Sequence, residues 1–272
     1  MKKCRADEAL LNQKNLENIE LARALIMEGR VMSGDRKILR ASEMIRVDEQ
    51  LRIKGELDSY VSRGAHKLKR AVEVFNLQLK DKVCIDVGAS TGGFTDVMLR
   101  AGASRVYSVD VGYNLLDYKL RSDERVVCME RTNARFLKAE DFDPRPSFGA
   151  TDVSFISLQA VLPAALSVLS PGGRFVALVK PQFEAPKEDV GEKGVVRDPA
   201  VHRRVLQEIT SFVPSLGWRV NGLDFSPIKG PEGNIEFLMD LVEKDNREVE
   251  MREFSIDVTI ENAYDKFVKS SR

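Results

Sequence analysis

The stretch Val83–Arg100 reads VCIDVGASTGGFTDVMLR, and its reading decides the fold of most of the chain. A short apolar run, Val83-Cys84-Ile85, ends in Asp86-Val87. A small-residue loop follows, Gly88-Ala89-Ser90-Thr91-Gly92-Gly93, and then a helical pattern with Phe94, Val97, Met98 and Leu99 as its apolar positions. Strand, glycine turn and helix open a nucleotide-binding α/β unit, and Asp86 at the strand's carboxyl end would face the crevice where such sheets bind ligands. Glycine lets the backbone approach a ligand closely because no Cβ stands in the way.

Three readings of this loop stand side by side. A bare strand-to-helix turn needs no ligand. A dinucleotide site asks for G-x-G-x-x-G, with a pyrophosphate on the helix N-terminus. The glycines here run G-x-x-x-G-G, with an acid two residues ahead of them. That spacing suits S-adenosylmethionine (SAM), which carries a sulfonium and an ammonium that a carboxylate attracts. Val106-Tyr107-Ser108-Val109 reads as the next strand and ends in Asp110. An acid roughly twenty residues beyond such a loop can accept ribose hydroxyls.

Working outward, α/β alternation continues on both sides. Upstream, Ala65 to Phe75 fits a helix packed through Leu68, Ala71, Val72 and Phe75, with Lys67 off that stripe. Downstream, strands are expected at Val126–Met129, Phe148–Phe155 and Arg174–Val179, with Glu130–Asn133, Asp152 and Lys180-Pro181 at or near their ends. Helices are expected at Leu158–Leu169 and Val201–Leu216. Val220–Phe225 and Glu236–Val242 read as a final strand pair joined by Ser226–Asn234. The pattern implies a doubly wound, Rossmann-like sheet, mostly parallel with an antiparallel last strand.

Residues 1–59 differ. Helices are expected over Ala6–Asn12 and from an Asn18 cap to Glu28. A turn is expected at Ser33-Gly34-Asp35, and short strands at Met44–Val47 and Leu51–Lys54 either side of Asp48-Glu49-Gln50. The polar stretch Gly55–Ser59 marks a domain boundary. A main domain over 60–244 follows, then a charged tail over 245–272 with a helix near Asn262–Lys269 and no functional reading.

Of 272 residues, 43% are hydrophobic and 31% charged, which fits a soluble globular chain with one large and one small domain. Lys and Arg total 42, as do Asp and Glu, so any nucleic-acid surface must be local. The cysteines Cys4, Cys84 and Cys128 are far apart and no C-x-x-C pair occurs, which argues against zinc and for a reducing, cytoplasmic setting. No apolar run of about eighteen residues suggests a membrane span, and the chain is expected to be monomeric.

Residues at the carboxyl ends of strands converge in an open sheet. Asp152 and Lys180 sit there, Glu236 begins the last strand, and Lys67 precedes the first. A ribose hydroxyl is a poor nucleophile until a base takes its proton, and lysine is such a base only when its pKa falls well below about 10.4. A second lysine and a sulfonium nearby would lower it by like-charge repulsion, while the acids align the groups. Four ordinary strand-end residues in salt bridges would look the same in sequence.

The segments Tyr60–Leu68, Asp86–Asp96, Asp110–Tyr113, Glu130–Asn133, Asp152–Leu158, Leu178–Glu184 and Gly230–Phe237 closely resemble the TlyA family, often labelled hemolysin A. The resemblance spans about residues 5–242. It implies an N-terminal RNA-binding domain of the ribosomal protein S-four type joined to an FtsJ-like methyltransferase domain. It implies SAM-dependent 2′-O-methylation of cytidine in ribosomal RNA, in the large subunit and often also the small, with ribosomal RNA or ribosomal subunits as the partner. It also implies a tetrad of Lys67, Asp152, Lys180 and Glu236, with Lys180 as base and Lys67 and Glu236 tuning and orienting it. The cofactor would lie against Asp86, Gly88, Ala89, Ser90, Thr91, Gly92, Gly93, Phe94, Asp110, Val111 and Asp152, with Asn133 holding adenine through an amide. Arg5, Arg23, Arg30, Arg36, Lys37 and Arg63 are the expected RNA contacts, and no metal is expected. The family departs here in having Ser-Arg where Asn18-Ile19 stand. Two other classes remain open: a membrane-active hemolysin, and a catalytically silent RNA-binding assembly factor.

Overall fold

The computed structural model describes residues 3–14, 16, 18–27, 29–54 and 60–268. The expected 55–59 connection and the expected helix ends at Glu28 and Lys269 lie outside the described residues. The chain divides into two compact units, residues 1–59 and 60–272.

The first unit holds β1 (Lys3–Arg5), α1 (Ala6–Lys14), α2 (Ile19–Met27), β2 (Val31–Ser33), β3 (Arg36–Lys37), β4 (Met44–Arg46) and β5 (Leu51–Ile53). Asn18 caps α2, its Oδ1 accepting from the Leu21 amide at 2.8 Å. The strands expected either side of Asp48-Glu49-Gln50 form but do not pair with each other: β4 pairs with β1, and β5 pairs with β2. Each delivers one side chain, Ile45 or Leu51, to a small core with Ala6, Leu10, Leu25 and Ile26, and hydrophobic burial selects these long-range partners.

The second unit opens with α3 (Ala65–Val74), then β6 (Val83–Val87), α4 (Gly93–Arg100), β7 (Arg105–Val109), α5 (Tyr118–Arg121) and β8 (Val126–Met129). It continues with β9 (Phe148–Thr151), α6 (Leu158–Ser167), β10 (Arg174–Val179), α7 (Pro181–Glu184), α8 (Pro199–Phe212), β11 (Trp218–Phe225), β12 (Phe237–Glu243) and α9 (Ile256–Phe267). The seven-stranded sheet runs β11-β12-β10-β9-β6-β7-β8, with β12 antiparallel to both neighbours. Side chains alternate across it: Ile85 and Val87 enter one apolar layer with Leu162, Phe175 and Ile209. Cys84 enters the other with Leu68, Met98 and Phe148. The chain passes from β6 outward to β7 and β8, then returns to β9 on the far side of β6. That reversal leaves a crevice beyond the carboxyl ends of β6 and β9.

Three expectations need correction. The Phe148–Phe155 strand stops at Thr151, so Asp152 begins the following loop, in which Phe155 takes a left-handed conformation at φ 62°. Lys67 is buried, not off the packed face. The tail is no separate appendage: α9 starts six residues earlier than expected, capped by Ser255, and buries Ile260 and Ala263 in the main core. No helix among the described residues is long and apolar enough to cross a membrane.

Candidate active site

The glycine loop is held from beneath by two acids. Asp86 is buried, and its Oδ2 accepts from the Thr95 amide at 2.8 Å and the Thr95 hydroxyl at 2.7 Å, stitching β6 to α4. Its Oδ1 is buried without a hydrogen-bond partner among the described residues. Burial pushes this carboxyl up to about 7 against the opposing Thr95 hydrogen bonds, with the charges of Asp152 and Asp110 adding to the rise. Asp110 grips the loop from β7, accepting from the Ser90 amide at 2.8 Å and the Gly112 amide at 2.7 Å.

Gly88, at φ 85°, passes so close to the next loop that a Cβ would stand 3.0 Å from Val153 Cγ1 and 3.2 Å from the Asp152 carbonyl oxygen. A Cβ on Gly92 would collide with Leu120, and one on Gly93 with the Ser62 hydroxyl. All three loop glycines therefore answer to internal packing.

The four candidate catalytic groups, from α3, the loop after β9, the residue after β10 and the residue before β12 (so Glu236 precedes the last strand and does not begin it), meet in space. Lys67 Nζ lies 3.1 Å from Asp152 Oδ2 and 2.8 Å from Glu236 Oε2. Lys180 Nζ lies 2.6 Å from Asp152 Oδ1 and donates to the Ser154 hydroxyl at 2.8 Å. One carboxylate is thus shared by two lysines, each 7% exposed. Burial pushes the Lys67 ammonium toward neutrality, but the carboxylates of Asp152 and Glu236 together outweigh it and hold its pKa above the ordinary lysine value. The like-charge lowering expected of the base does not extend to Lys67, whose ammonium meets two carboxylates. The Lys67–Glu236 approach is a close ion pair between two buried groups.

Sequence reasoning missed several supports. Ser154 steadies Lys180. Glu184, at the end of α7, accepts from the Ser157 hydroxyl at 2.6 Å and the Leu158 amide at 2.8 Å, tying the segment after Lys180 to the one after Asp152. Phe183 packs on Phe155 across the same seam, ring centres 5.0 Å apart, and Phe155 is 91% exposed. Gly230 lets its loop reach the Glu236 carboxylate, since a Cβ there would lie 2.6 Å from Oε1. Buried Asn234 anchors that loop, accepting from the Val196 amide at 2.9 Å and donating to the Gly194 carbonyl at 2.8 Å. Serine after aspartate and a glutamate four residues after lysine were visible in the motifs, but only the fold assigns them partners.

Two cavities share Gly88, Ser90, Asp152 and Ser154 on their walls. One, of about 220 Å³, holds the tetrad together with Arg63, Asp86, Ala89, Thr91, Gly93 and Phe94. The other, of about 390 Å³, is mainly apolar, with Val109, Val111, Ile156 and Val161 beside Asp110 and Asn133. Asn133 spends its Oδ1 on the Arg135 amide at 3.1 Å. SAM fits this pair: an unpartnered buried carboxylate oxygen for a cationic methionine portion, an acid for ribose, and an apolar slot for adenine.

The expected RNA contacts of the first unit are braced by acids. Arg5 donates to Asp7 at 3.0 and 2.8 Å, and Arg23 donates to the same buried carboxylate at 3.0 Å. The Arg5 hydrogen bond, with Arg23 assisting against burial, holds the Asp7 carboxyl down at about 2. Arg36 spans Glu43 and Glu49, Arg30 donates to the Lys54 carbonyl at 3.1 Å, and Lys37 is exposed.

Residues 60–242 match the family described as FtsJ-like methyltransferase. A Bacillus subtilis protein provisionally named rRNA methyltransferase YqxC is 50% identical over 241 residues, covering 88% of this chain and 86% of its own. The 16S/23S rRNA (cytidine-2′-O)-methyltransferase TlyA of Mycobacterium tuberculosis is 47% identical over 181 residues, 66% of this chain and 68% of its own. A solved structure from Streptococcus thermophilus, provisionally named a hemolysin, shares 45% identity at a TM-score of 0.78, covering 100% of this chain and 99% of that one. The resemblance read from the motifs is borne out: the chain belongs to the FtsJ-like methyltransferase family, on its TlyA and hemolysin A branch, and is a SAM-dependent methyltransferase.

Proposed function

We propose that the chain methylates the ribose 2′-oxygen of a cytidine in ribosomal RNA, with Lys180 as the base. The observation that carries this reading is the single Asp152 carboxylate gripped on both oxygens by lysines, where the two cavities meet. The substrate rests on the relatives' names, one for 16S and 23S cytidine-2′-O methylation and one for rRNA methylation. Asp86, Gly88 and Ser90 would hold the methionine portion of SAM, Asp110 its ribose, and Val111, Asn133 and Ile156 its adenine. Bound there, SAM supplies an electrophilic methyl carbon on a sulfur that leaves as a neutral thioether.

Lys67 faces two carboxylates and keeps its proton, so its role is to fix Asp152 and Glu236. Lys180 faces one carboxylate oxygen and a hydroxyl; as the neutral amine, its own proton released to solvent beforehand, its Nζ takes the 2′-hydroxyl proton as the ribose oxygen bonds to the methyl carbon and the methyl–sulfur bond breaks. Exposed Phe155 offers the target base a ring to stack on. Arg5, Arg23, Arg36 and Lys37 would meet phosphates from the first unit, and Arg63 from the pocket rim.

Alkaline digestion of ribosomal RNA treated with the full chain and SAM tests the reading, because strand cleavage needs a free 2′-hydroxyl. The expected product is an alkali-resistant dinucleotide beginning with cytidine, formed only when SAM is present. Methyl groups on bases alone, or no transfer to either naked RNA or ribosomal subunits, would overturn it.

A further inference from the structure

A cavity of about 490 Å³ is built on two elements that also line the reaction pocket, and the proposed chemistry makes no use of it. Helix α3 gives it Lys69, Arg70 and Glu73, the end of β11 and its loop give Phe225 and Ile228, and α9 gives Lys266. We infer that this groove carries the RNA strand flanking the target nucleotide, an inference that rests on the proposed ribose methylation.

Continuity is the first argument. Helix α3 sends Lys67 into the reaction pocket and Lys69 and Arg70 into the groove. The loop joining β11 to β12 likewise lends Pro231 to the pocket and Pro227 to the groove. The apolar adenosine cavity draws no lining residue from either element, so a strand whose ribose lies at Lys180 leaves along α3 and this loop toward the groove. Charge is the second argument. Lys69, Arg70 and Lys266 line the groove against Glu73, and Arg70 also donates to Asp224 at 2.7 Å. Lys229 adds a further cation on the connecting loop, its Nζ donating to the Phe267 carbonyl at 3.3 Å. Lys266 Nζ stands 5.5 Å from the Phe225 ring centre, so a cation and an aromatic surface lie side by side. Cations for phosphates beside an aromatic wall for bases are what a single strand requires. An acidic protein segment would use the cations, but it has no reason to lead into a ribose-methylating pocket.

The test uses the full chain, its Lys69→Ala/Lys266→Ala variant, and a labelled cytidine-containing single-stranded RNA of about 12 nucleotides. RNA affinity is measured by anisotropy between about 50 and 200 mM salt. Two lost phosphate contacts should shrink the log–log salt slope by about 1.4, raise the KM for RNA, and leave SAM affinity unchanged. The charge-reversing Lys266→Glu variant should weaken binding further. Cross-links from 4-thiouridine next to the target cytidine should fall on Phe225–Ile228. Wild-type slope and affinity in the double variant, while methyl transfer persists, would overturn the groove alone. Displacement of an acidic peptide but not RNA from the groove would overturn it in favour of a protein partner. Absence of methyl transfer by the unaltered chain would overturn both readings.

Discussion

Strand β10 carries a buried ion cluster at each end. At its amino end, Arg174 donates to Asp240 through Nε and Nη2, both at 2.8 Å, and Asn221 adds an amide at 3.3 Å. The remaining reach of Arg174 goes to the Phe75 carbonyl at 2.8 Å. Beyond its carboxyl end, Lys180 meets Asp152, which Lys67 shares and links to Glu236, and that cluster opens onto two cavities. Both clusters bury charge, but the second lines a cavity and shares one carboxylate between two lysines. Buried charge alone therefore says little about function; buried charge beside a cavity says more.

The contrast can be broken most forcefully at the closed end. Asp240→Ala should cost about 3–5 kcal/mol in urea unfolding, because Arg174 is left buried and unpaired, yet the folded fraction should keep its kcat. A lower kcat at unchanged stability would erase the distinction. At the open end, Asp152→Asn should lower methyl transfer by about 100-fold through misplaced lysines, with a far smaller shift in the urea midpoint. A mutant that unfolded instead would place this carboxylate with the structural pair.

Asp86 sharpens the comparison through pH. Its carboxyl is raised to about 7 in the free protein, so below that pH it is protonated, while a cationic ligand prefers it ionised. SAM affinity should therefore fall by up to about tenfold per unit as pH drops below about 7, and Asp86→Asn should flatten the profile. Titration calorimetry across this range checks both. The smallest effect is expected at Glu184, where Glu184→Ala removes the tie to Ser157 and Leu158. It should cost about 1 kcal/mol of stability, as for a lost cap, and lower kcat while leaving the SAM dissociation constant in place. A change in SAM binding alone would contradict the positioning role.

Much of the sheet was legible because its central strands are buried on both faces and read as unbroken apolar runs, as in Val83–Val87. The strand-end rule then put Asp86, Asp110, Asp152 and Lys180 near the crevice. Lys67 was half legible: its motif marked it, yet the helical stripe left it outside, since its burial depends on Asp152 and Glu236 far along the chain. The strand partners of the first unit were hidden for the same reason. Three-residue strands carry too little pattern to declare whom they pair with. The packing demands on Gly92 and Gly93 come from Leu120 and Ser62, and no local rule links those positions. Helix α9 was blurred at its start because Ser255 caps it within a weakly patterned, charged stretch.

Single-turnover methyl transfer by Lys180→Ala, with saturating SAM and a parallel SAM-binding titration, tests the shared carboxylate most directly. The expected result is loss of 2′-O-methylcytidine formation with SAM affinity intact. Formation at the unaltered rate, with the same pH dependence, would contradict the assignment of Lys180 as the base.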